Sequence, residues 1–153
     1  MNARPVLREL PETSEHPVLR QSAALCYRIR HGQPEVLLIT TRQAQRWIIP
    51  KGWLIPGLTP SETAVQEAWE EAGVTGRCSK AGLGQFLHVK HRPNQPPALI
   101  LVDVFALHVQ TMSQDFPEKH ERRRKWFAPE NAAQKVRSPE LAELLRDFKT
   151  HTH

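Results

Sequence analysis

The chain has 153 residues, of which 39% are hydrophobic and 24% charged, with a formal net charge of +5 at pH 7. This length suits one domain with its own core, and this mixture excludes an intrinsically disordered chain. There is no apolar run of the roughly 18 residues that span a membrane, no signal-peptide pattern and no cysteine framework, so a cytoplasmic protein is expected. The positive balance suits an anionic ligand such as a phosphate compound.

The N-terminal third predicts an irregular arm followed by short strands. Residues 1–18 contain three prolines and scattered charges, which is typical of an arm without regular structure. The runs 22–30 and 35–41 are apolar and partly β-branched, and we predict that they pair as a hairpin. A short strand is predicted over 46–49, and a loop rich in Gly and Pro over 50–60.

The clearest helix of the chain follows this loop. Thr59 is a good N-cap, Pro60 suits the first helical position, and Glu62 completes the capping-box spacing. Alanine, glutamate and other helix-forming residues continue to Ala72, and Gly73 provides the C-terminal stop.

The second half of the chain predicts two long strands and two further helices. The strands are predicted over 84–91 and 97–109, and a short one over 125–127. A short helix is expected over 129–134, and a final helix begins at Ser138. Strands on both sides of one central helix, with a terminal helix, indicate a mixed α/β domain.

Acidic side chains gather on one face of the central helix. Residues three and four apart are neighbours on a helix, so Gln66, Glu67, Glu70 and Glu71 are expected to lie together. The opposite face is expected to pack on the core and consists of Ala64, Val65, Ala68, Trp69 and Ala72. The carboxylates repel one another and no Lys or Arg of the helix offsets them, whereas Mg²⁺ would. The alternative is a solvated acidic face, which is what most such patches are.

The spacing of this segment resembles the signature of the Nudix hydrolases, G-x5-E-x7-R-E-U-x-E-E-x-G-U, in which U is a bulky apolar residue. The matching positions are Gly52, Glu67, Glu70, Glu71, Gly73 and Val74, with the small Ala68 at the first U. The resemblance implies a Nudix-type α/β/α sandwich with a mixed β-sheet, as a single domain over 19–150.

Two positions depart from that signature. Leu58 stands where the first Glu is expected, and Gln66 stands where the Arg is expected. In the family this Arg organises the loop and the metal-binding glutamates through charged hydrogen bonds. The loss of both charged residues together is the pattern expected when an ion pair is replaced by neutral residues.

Shorter stretches resemble one branch of the family, the diphosphoinositol polyphosphate phosphohydrolases. These stretches are 23–28, 36–39, 46–50, 90–92 and 122–127. Members of this branch act on inositol pyrophosphates and dinucleoside polyphosphates, and related small enzymes hydrolyse nucleoside diphosphate derivatives. One of these three classes is therefore the expected substrate.

The resemblance implies metal-dependent attack of water on a phosphorus of a diphosphate bond. Glu67, Glu70 and Glu71 would be the catalytic metal ligands, joined by the backbone carbonyl of Gly52, with Mg²⁺ or Mn²⁺ as cofactor. Glu67 is the first choice for the base that deprotonates the water. The later residues Glu118 and Glu121 are the alternatives.

Basic residues are the candidates for phosphate contacts, since Arg binds phosphate through two N–H groups and Lys acts as a point charge. They are Arg20, Arg42, Lys51, Lys90, His91, Arg92, Arg122, Arg123 and Arg124. For any one of them, ordinary solvated surface is the alternative.

Two other functions stay open, namely a Nudix-fold protein that binds a polyphosphate or nucleotide with little catalysis, and a nucleic-acid-binding protein using the basic run 122–124. The expected partner is a small phosphoanhydride rather than a membrane or nucleic acid. The protein is expected to be a monomer or a homodimer.

Overall fold

A computed structural model describes residues 18–149 and contains one mixed sheet of eight strands with helices on both faces. The strands are β1 (Val18–Arg30), β2 (Gln33–Thr40), β3 (Trp47–Ile48), β4 (Lys51–Trp53), β5 (Val74–Cys78), β6 (Gly84–Arg92), β7 (Gln95–Met112) and β8 (Arg124–Phe127). The helices are α1 (Pro60–Ala72), α2 (Pro129–Lys135) and α3 (Pro139–Arg146).

The two long strands β1 and β7 form the centre of the sheet. They run parallel, with Val18 opposite Leu99 at one end and Tyr27 opposite His108 at the other. The path β3-β2-β1-β7-β5 is completed by β4 on β1, β6 on β7 and β8 on β2, and these other pairings are antiparallel. The sheet is therefore mixed, as expected.

Alternate residues of the central strands pack into two separate cores, because successive side chains of a strand point to opposite faces. The core under α1 contains Ala24, Cys26, Leu37, Ile39, Ala64, Ala68, Ala72, Phe105 and Leu107. The core under α2 and α3 contains Ala23, Leu25, Val36, Leu38, Val102, Val104, Leu141, Leu145 and Phe148. Two helical layers thus enclose the sheet, which is the α/β/α sandwich that the sequence predicts.

Two short strands were not predicted. The loop expected over 50–60 contains β4, whose residues pair with 21–23 of β1, and this long-range pairing overrides the Gly- and Pro-rich composition. β5 continues directly from the helix stop at Gly73 and pairs with the end of β7. The arm expected over 1–18 lies outside the described residues except for Val18, which already belongs to β1.

Helix α1 begins and ends as its sequence predicts. The Thr59 side chain accepts from the Glu62 amide while the Glu62 carboxylate accepts from the Thr59 amide, which completes the capping box. Gly73 adopts the left-handed conformation, with φ of 70°. An added Cβ there would overlap the Phe116 ring and approach the Arg124 guanidinium, so glycine is required at this point.

No helix within residues 18–149 has the length and apolar character needed to cross a membrane.

We expect Thr59→Ala to lower the free energy of unfolding by about 1 kcal/mol, because the Glu62 amide loses its acceptor at the start of α1. Urea denaturation measures this change. Thr59→Ser is the matched control and keeps the hydroxyl, so its unfolding free energy should stay within a few tenths of a kcal/mol of the parent. Equal losses in the two variants would contradict the capping role.

Candidate active site

Strand β4 holds the loop before α1 against the glutamates of that helix. Lys51 and Gly52 pair with Ala23 and Ser22 of β1, and the Lys51 amide donates to Glu71 Oε1 at 3.3 Å. Gly52 faces Glu67 so closely that an added Cβ would overlap its carboxylate. The signature glycine therefore leaves the space that the Glu67 side chain fills.

Glu67 and Glu71 form a partly buried carboxyl pair. Burial raises the pKa of Glu71 to about 8, although nearby Arg122 opposes the shift, and a hydrogen bond to Glu67 adds to it. Burial also raises the pKa of Glu67, while the same hydrogen bond lowers it. Both carboxyls are therefore harder to ionise than free glutamates, and they titrate as a pair.

The four residues expected to cluster on one side of α1 differ in their burial, which counts against the alternative of a solvated acidic face. Only 8% of Glu71 is exposed, whereas Gln66, Glu67 and Glu70 are half-buried. Glu71 lies next to Ala68 and Ala72 around the helix, and its other side is closed by β4 and by Arg122. Trp69, expected in the core, remains half-buried.

The 113–123 loop covers the C-terminal end of α1, which has no basic residue in its last turn. The Glu118 amide donates to the Glu70 carbonyl at 3.0 Å, and the Ser113 amide donates to the Gly73 carbonyl at 2.8 Å. Arg124, directly after the loop, donates to the Ala72 carbonyl at 2.7 Å. These contacts satisfy helix-end carbonyls and fix the loop beside the carboxyl pair.

Arg122 reaches from this loop into the glutamate cluster. Its Nε donates to Glu118 Oε1 at 2.7 Å, its Nη2 lies 3.6 Å from Glu71 Oε2, and its Nη1 donates to the Thr40 carbonyl at 3.0 Å. Only 9% of the side chain is exposed. The guanidinium predicted to contact substrate is thus surrounded by acceptors of the protein itself.

Glu70 and Glu121 have hydrogen-bond partners of their own. Glu70 Oε2 accepts from the Gln66 amide nitrogen at 2.6 Å. Glu121 pairs with Arg42 at 3.1 Å, and both side chains are largely exposed. Among residues 18–149, no three His, Cys, Asp or Glu side chains are gathered closely enough to hold a metal ion.

The carboxyl pair nonetheless fits a divalent cation. Burial raises the pKa of both carboxyls, which makes it unfavourable for both to be ionised at once. A hard divalent cation would offset this cost, because such cations prefer oxygen ligands and displace protons from them. Because Gly52 has no Cβ, the Glu67 carboxylate lies directly against the backbone of this residue.

A cavity of about 920 Å³ lies on the opposite face of the sheet, between β6 and the start of α3. Its polar lining consists mainly of Arg42, Arg46, His88, Lys90, His91 and Arg137. Arg42 and Lys90 were predicted for phosphate contacts, and His91 was among the wider candidates. Burial, together with the nearby charges of Lys51 and Lys90, lowers the pKa of His88 to about 4. His88 is therefore neutral at pH 7.

Lys51 lies within electrostatic range of both the carboxyl pair and the cavity residue Lys90. It lies opposite Ala23 of β1, whose side chain packs in the core on the cavity side. Burial lowers the pKa of Lys51, Glu71 raises it, and Arg122 and Lys90 lower it again. Lys51 therefore feels both the acidic pair and the cations of the cavity.

The other predicted basic contacts lie outside the cavity lining. Arg20 is 3.8 Å from Asp103 and half exposed, and Arg92 donates to the Pro96 carbonyl at 2.9 Å across its own hairpin. Arg124 binds the end of α1 and lies over the Phe116 ring, 4.8 Å from its centroid. Arg123 lies over the Trp47 ring, 5.4 Å from its centroid.

Sequence reasoning missed several residues that line or support these sites. Arg46 and Arg137 line the cavity, but neither was predicted to contact a ligand. Each is a single basic residue beside a short element, and nothing in its local sequence indicated a binding role. Thr40 is fully buried, and its carbonyl and hydroxyl accept from Arg122 and Arg123. The only available signal was its place at the end of a buried strand.

The family model described as "NUDIX domain" matches residues 19–148. Diphosphoinositol polyphosphate phosphohydrolase 3-alpha of Mus musculus is 31% identical over 134 residues, covering 85% of this chain and 77% of that protein. Diphosphoinositol polyphosphate phosphohydrolase 2 of Homo sapiens is 30% identical over 135 residues, covering 85% and 70%.

Solved structures share the fold. The C. elegans Ap4A hydrolase superposes with a TM-score of 0.59 at 24% identity, covering 84% of this chain and 94% of that one. A NUDIX hydrolase from Nitrosomonas europaea gives a TM-score of 0.65 at 20% identity, covering 84% and 86%. The expected Nudix-type α/β fold is confirmed.

With divalent cations removed by EDTA, we expect the free energy of unfolding of the parent protein to fall as the pH rises from about 5 to 8. The fall should be larger than in Glu71→Gln. Glu71 titrates near 4.5 when unfolded and near 8 when folded, so the folded state holds the extra proton in this range. Stability then falls as pH rises. Urea midpoints at several pH values measure the difference.

Glu70→Gln is the control, because it removes a neighbouring carboxylate of α1 but leaves the pair intact, and it should keep the pH dependence of the parent. A Glu71→Gln variant whose urea midpoints follow those of the parent at every pH would contradict the buried proton.

Proposed function

Because the chain belongs to the Nudix family of hydrolases, we propose that it hydrolyses a phosphoanhydride bond of a polyphosphorylated small molecule, by attack of water on phosphorus, with a divalent metal ion as cofactor. The observation that carries this proposal is the buried Glu67–Glu71 pair facing Gly52, since two such carboxyls are costly to keep together without a cation.

Glu67, Glu71 and the Gly52 carbonyl would hold the metal, with Glu70 as a further candidate on the same helix. A bound Mg²⁺ or Mn²⁺ would neutralise phosphate oxygens and lower the pKa of water. The chain's own part is to keep the carboxylates in place from both sides. The Lys51 amide holds Glu71 Oε1, and Arg122 approaches Glu71 Oε2.

Glu67 is the proposed base that takes the proton from the attacking water. The two alternative bases are both engaged elsewhere, Glu118 by Arg122 at 2.7 Å and Glu121 by Arg42 at 3.1 Å. Among the described residues, no Lys or Arg forms an ion pair with Glu67. This leaves its lone pairs available for a proton.

The basic cavity is proposed to hold the phosphate-rich part of the substrate. Its volume of about 920 Å³ suits a ligand larger than a single phosphate, and its lining carries cations from three separate segments. Several cations around one ligand favour several phosphates, as in an inositol pyrophosphate or a dinucleoside polyphosphate. The names of the phosphohydrolases to which the chain is similar support the first of these.

Lys51 would connect the bound phosphates to the metal-binding carboxyls. Its pKa responds both to Glu71 and to Lys90 of the cavity. A diphosphate that reaches from the cavity to the carboxyl pair would pass this side chain.

A second function, ligand binding with little turnover, is favoured by one observation. Gln66 replaces the signature arginine and holds Glu70 at 2.6 Å by a neutral donor, while Leu58 in place of the signature glutamate is exposed. Such a protein would bind a polyphosphate without consuming it.

The test is turnover with Mg²⁺ or Mn²⁺ on inositol pyrophosphates, dinucleoside polyphosphates and nucleoside diphosphate derivatives, monitored by product chromatography. Glu67→Gln and Glu71→Gln should each lower kcat by at least about 100-fold, since each removes a charge worth several kcal/mol to the transition state. Lys80→Gln, on the exposed turn between β5 and β6, is the control and should keep the parental rate. Tight binding of these compounds with no turnover would instead establish the second function.

Within the cavity, Arg42→Gln and Lys90→Gln are each expected to raise KM about tenfold with a smaller change in kcat, because each removes one charged contact to phosphate. Steady-state kinetics on the best substrate of the panel measure the split. A KM that matches that of the Lys80→Gln control would place the phosphates elsewhere.

A further inference from the structure

The positive charge that faces Glu71 comes from outside its helix. Between Pro60 and Ala72 there is no Lys or Arg. Gln66, at the arginine position of the signature, binds Glu70 and has no charge to offer. Arg122 Nη2, from the 113–123 loop, lies 3.6 Å from Glu71 Oε2, and both side chains are about nine-tenths buried.

Three nitrogens of the Arg122 guanidinium face three different elements. Nε binds Glu118 within the loop, Nη1 binds the Thr40 carbonyl at the end of β2, and Nη2 faces Glu71 on α1. A planar guanidinium with its Nε and Nη1 both bonded has a fixed orientation, and its third nitrogen then has a fixed direction. A lysine could not contact these three acceptors in the same way.

The loop that carries Arg122 is tied to the helix that carries Glu71. The Glu118 amide binds the Glu70 carbonyl, one residue before Glu71, and Arg124 binds the Ala72 carbonyl, one residue after it. The guanidinium and the carboxylate are therefore held in register by contacts to the helix backbone on both sides of Glu71.

We propose that Arg122 is the positioning residue for Glu71 and fills the role left open by Gln66 and Leu58. This inference rests on the proposed function, because the position of Glu71 matters to metal binding and hydrolysis. It differs from the substrate contact expected of Arg122, since the guanidinium is occupied by protein acceptors and only 9% of the side chain is exposed.

Arg122→Gln separates positioning from substrate binding. We expect kcat to fall about 10- to 100-fold with KM within about threefold, the usual cost of losing a residue that orients a metal ligand. The affinity for Mn²⁺ alone, measured by electron paramagnetic resonance, should weaken about tenfold. Circular dichroism and thermal unfolding establish that the variant is folded.

Lys119→Gln is the matched control. Lys119 pairs with Asp115 four residues earlier in the same loop, just as Arg122 pairs with Glu118, but its partner is 89% exposed and α1 is not involved. It should keep parental kcat, KM and Mn²⁺ affinity. Where Arg122→Gln fails to fold, Arg122→Lys keeps the charge but not the three-way contact, and a parental kcat and Mn²⁺ affinity in it would overturn the proposal.

Two outcomes of the Arg122→Gln measurement would also overturn it. A raised KM at unchanged kcat would make Arg122 a substrate contact. Tighter Mn²⁺ binding would make it a cation that merely repels the metal. If the parent protein hydrolyses none of the panel, the proposed function fails, but the Mn²⁺ affinities of parent, Arg122→Gln and Lys119→Gln still decide the positioning role.

Restoring the signature pair tests the replacement directly. In a Leu58→Glu/Gln66→Arg background the helix region regains its own charged partners, so Arg122→Gln should cost several-fold less in Mn²⁺ affinity than it does in the parent. An equal cost in both backgrounds would show that Arg122 does not stand in for the signature arginine.

Discussion

The arrangement of the site depends on keeping two carboxyl groups, those of Glu67 and Glu71, together in a partly buried place. Burial and proximity make both carboxyls harder to ionise, so the pair favours the uptake of a proton when no cation is bound. The space for Glu67 comes from Gly52 on β4, and β4 is placed by its pairing with β1. The Lys51 amide and the Arg122 guanidinium then hold the two oxygens of Glu71. Keeping these two carboxyls together costs stability, but it provides oxygen ligands of the kind that a divalent cation prefers.

The acidic pair and the basic cavity lie on opposite faces of the sheet, and successive residues of β4 face one or the other. Gly52 faces the glutamates of α1, whereas Lys51, one residue earlier, lies on the side of the basic cavity. The alternation of side chains along β4 thus turns Gly52 toward the acidic pair and Lys51 toward the face of the sheet on which the basic cavity lies. A polyphosphate would find its negative charges matched in the cavity and its scissile bond near the carboxyl pair.

Much of the fold could be predicted from the sequence because its signals are local. The capping box at Thr59, the stop at Gly73 and the apolar alternation of the long strands each act within a few residues. β4 was missed because it is defined by partners about 30 residues away in β1. The glutamates of the site followed from helical spacing, but the burial of Glu71 and the partners of Arg122 did not. Thr40 and Arg122 are 82 positions apart, and such contacts leave no periodic trace in one sequence.

In the proposed function, the Glu67–Glu71 pair gives up a proton when it binds a divalent cation. Calorimetric titration with Mn²⁺ at pH 7, in two buffers of different ionisation enthalpy, measures proton release on binding. We expect release of about one proton per cation in the parent protein and much less in Glu71→Gln. Binding that releases no proton in the parent, or equal release in the two proteins, would contradict it.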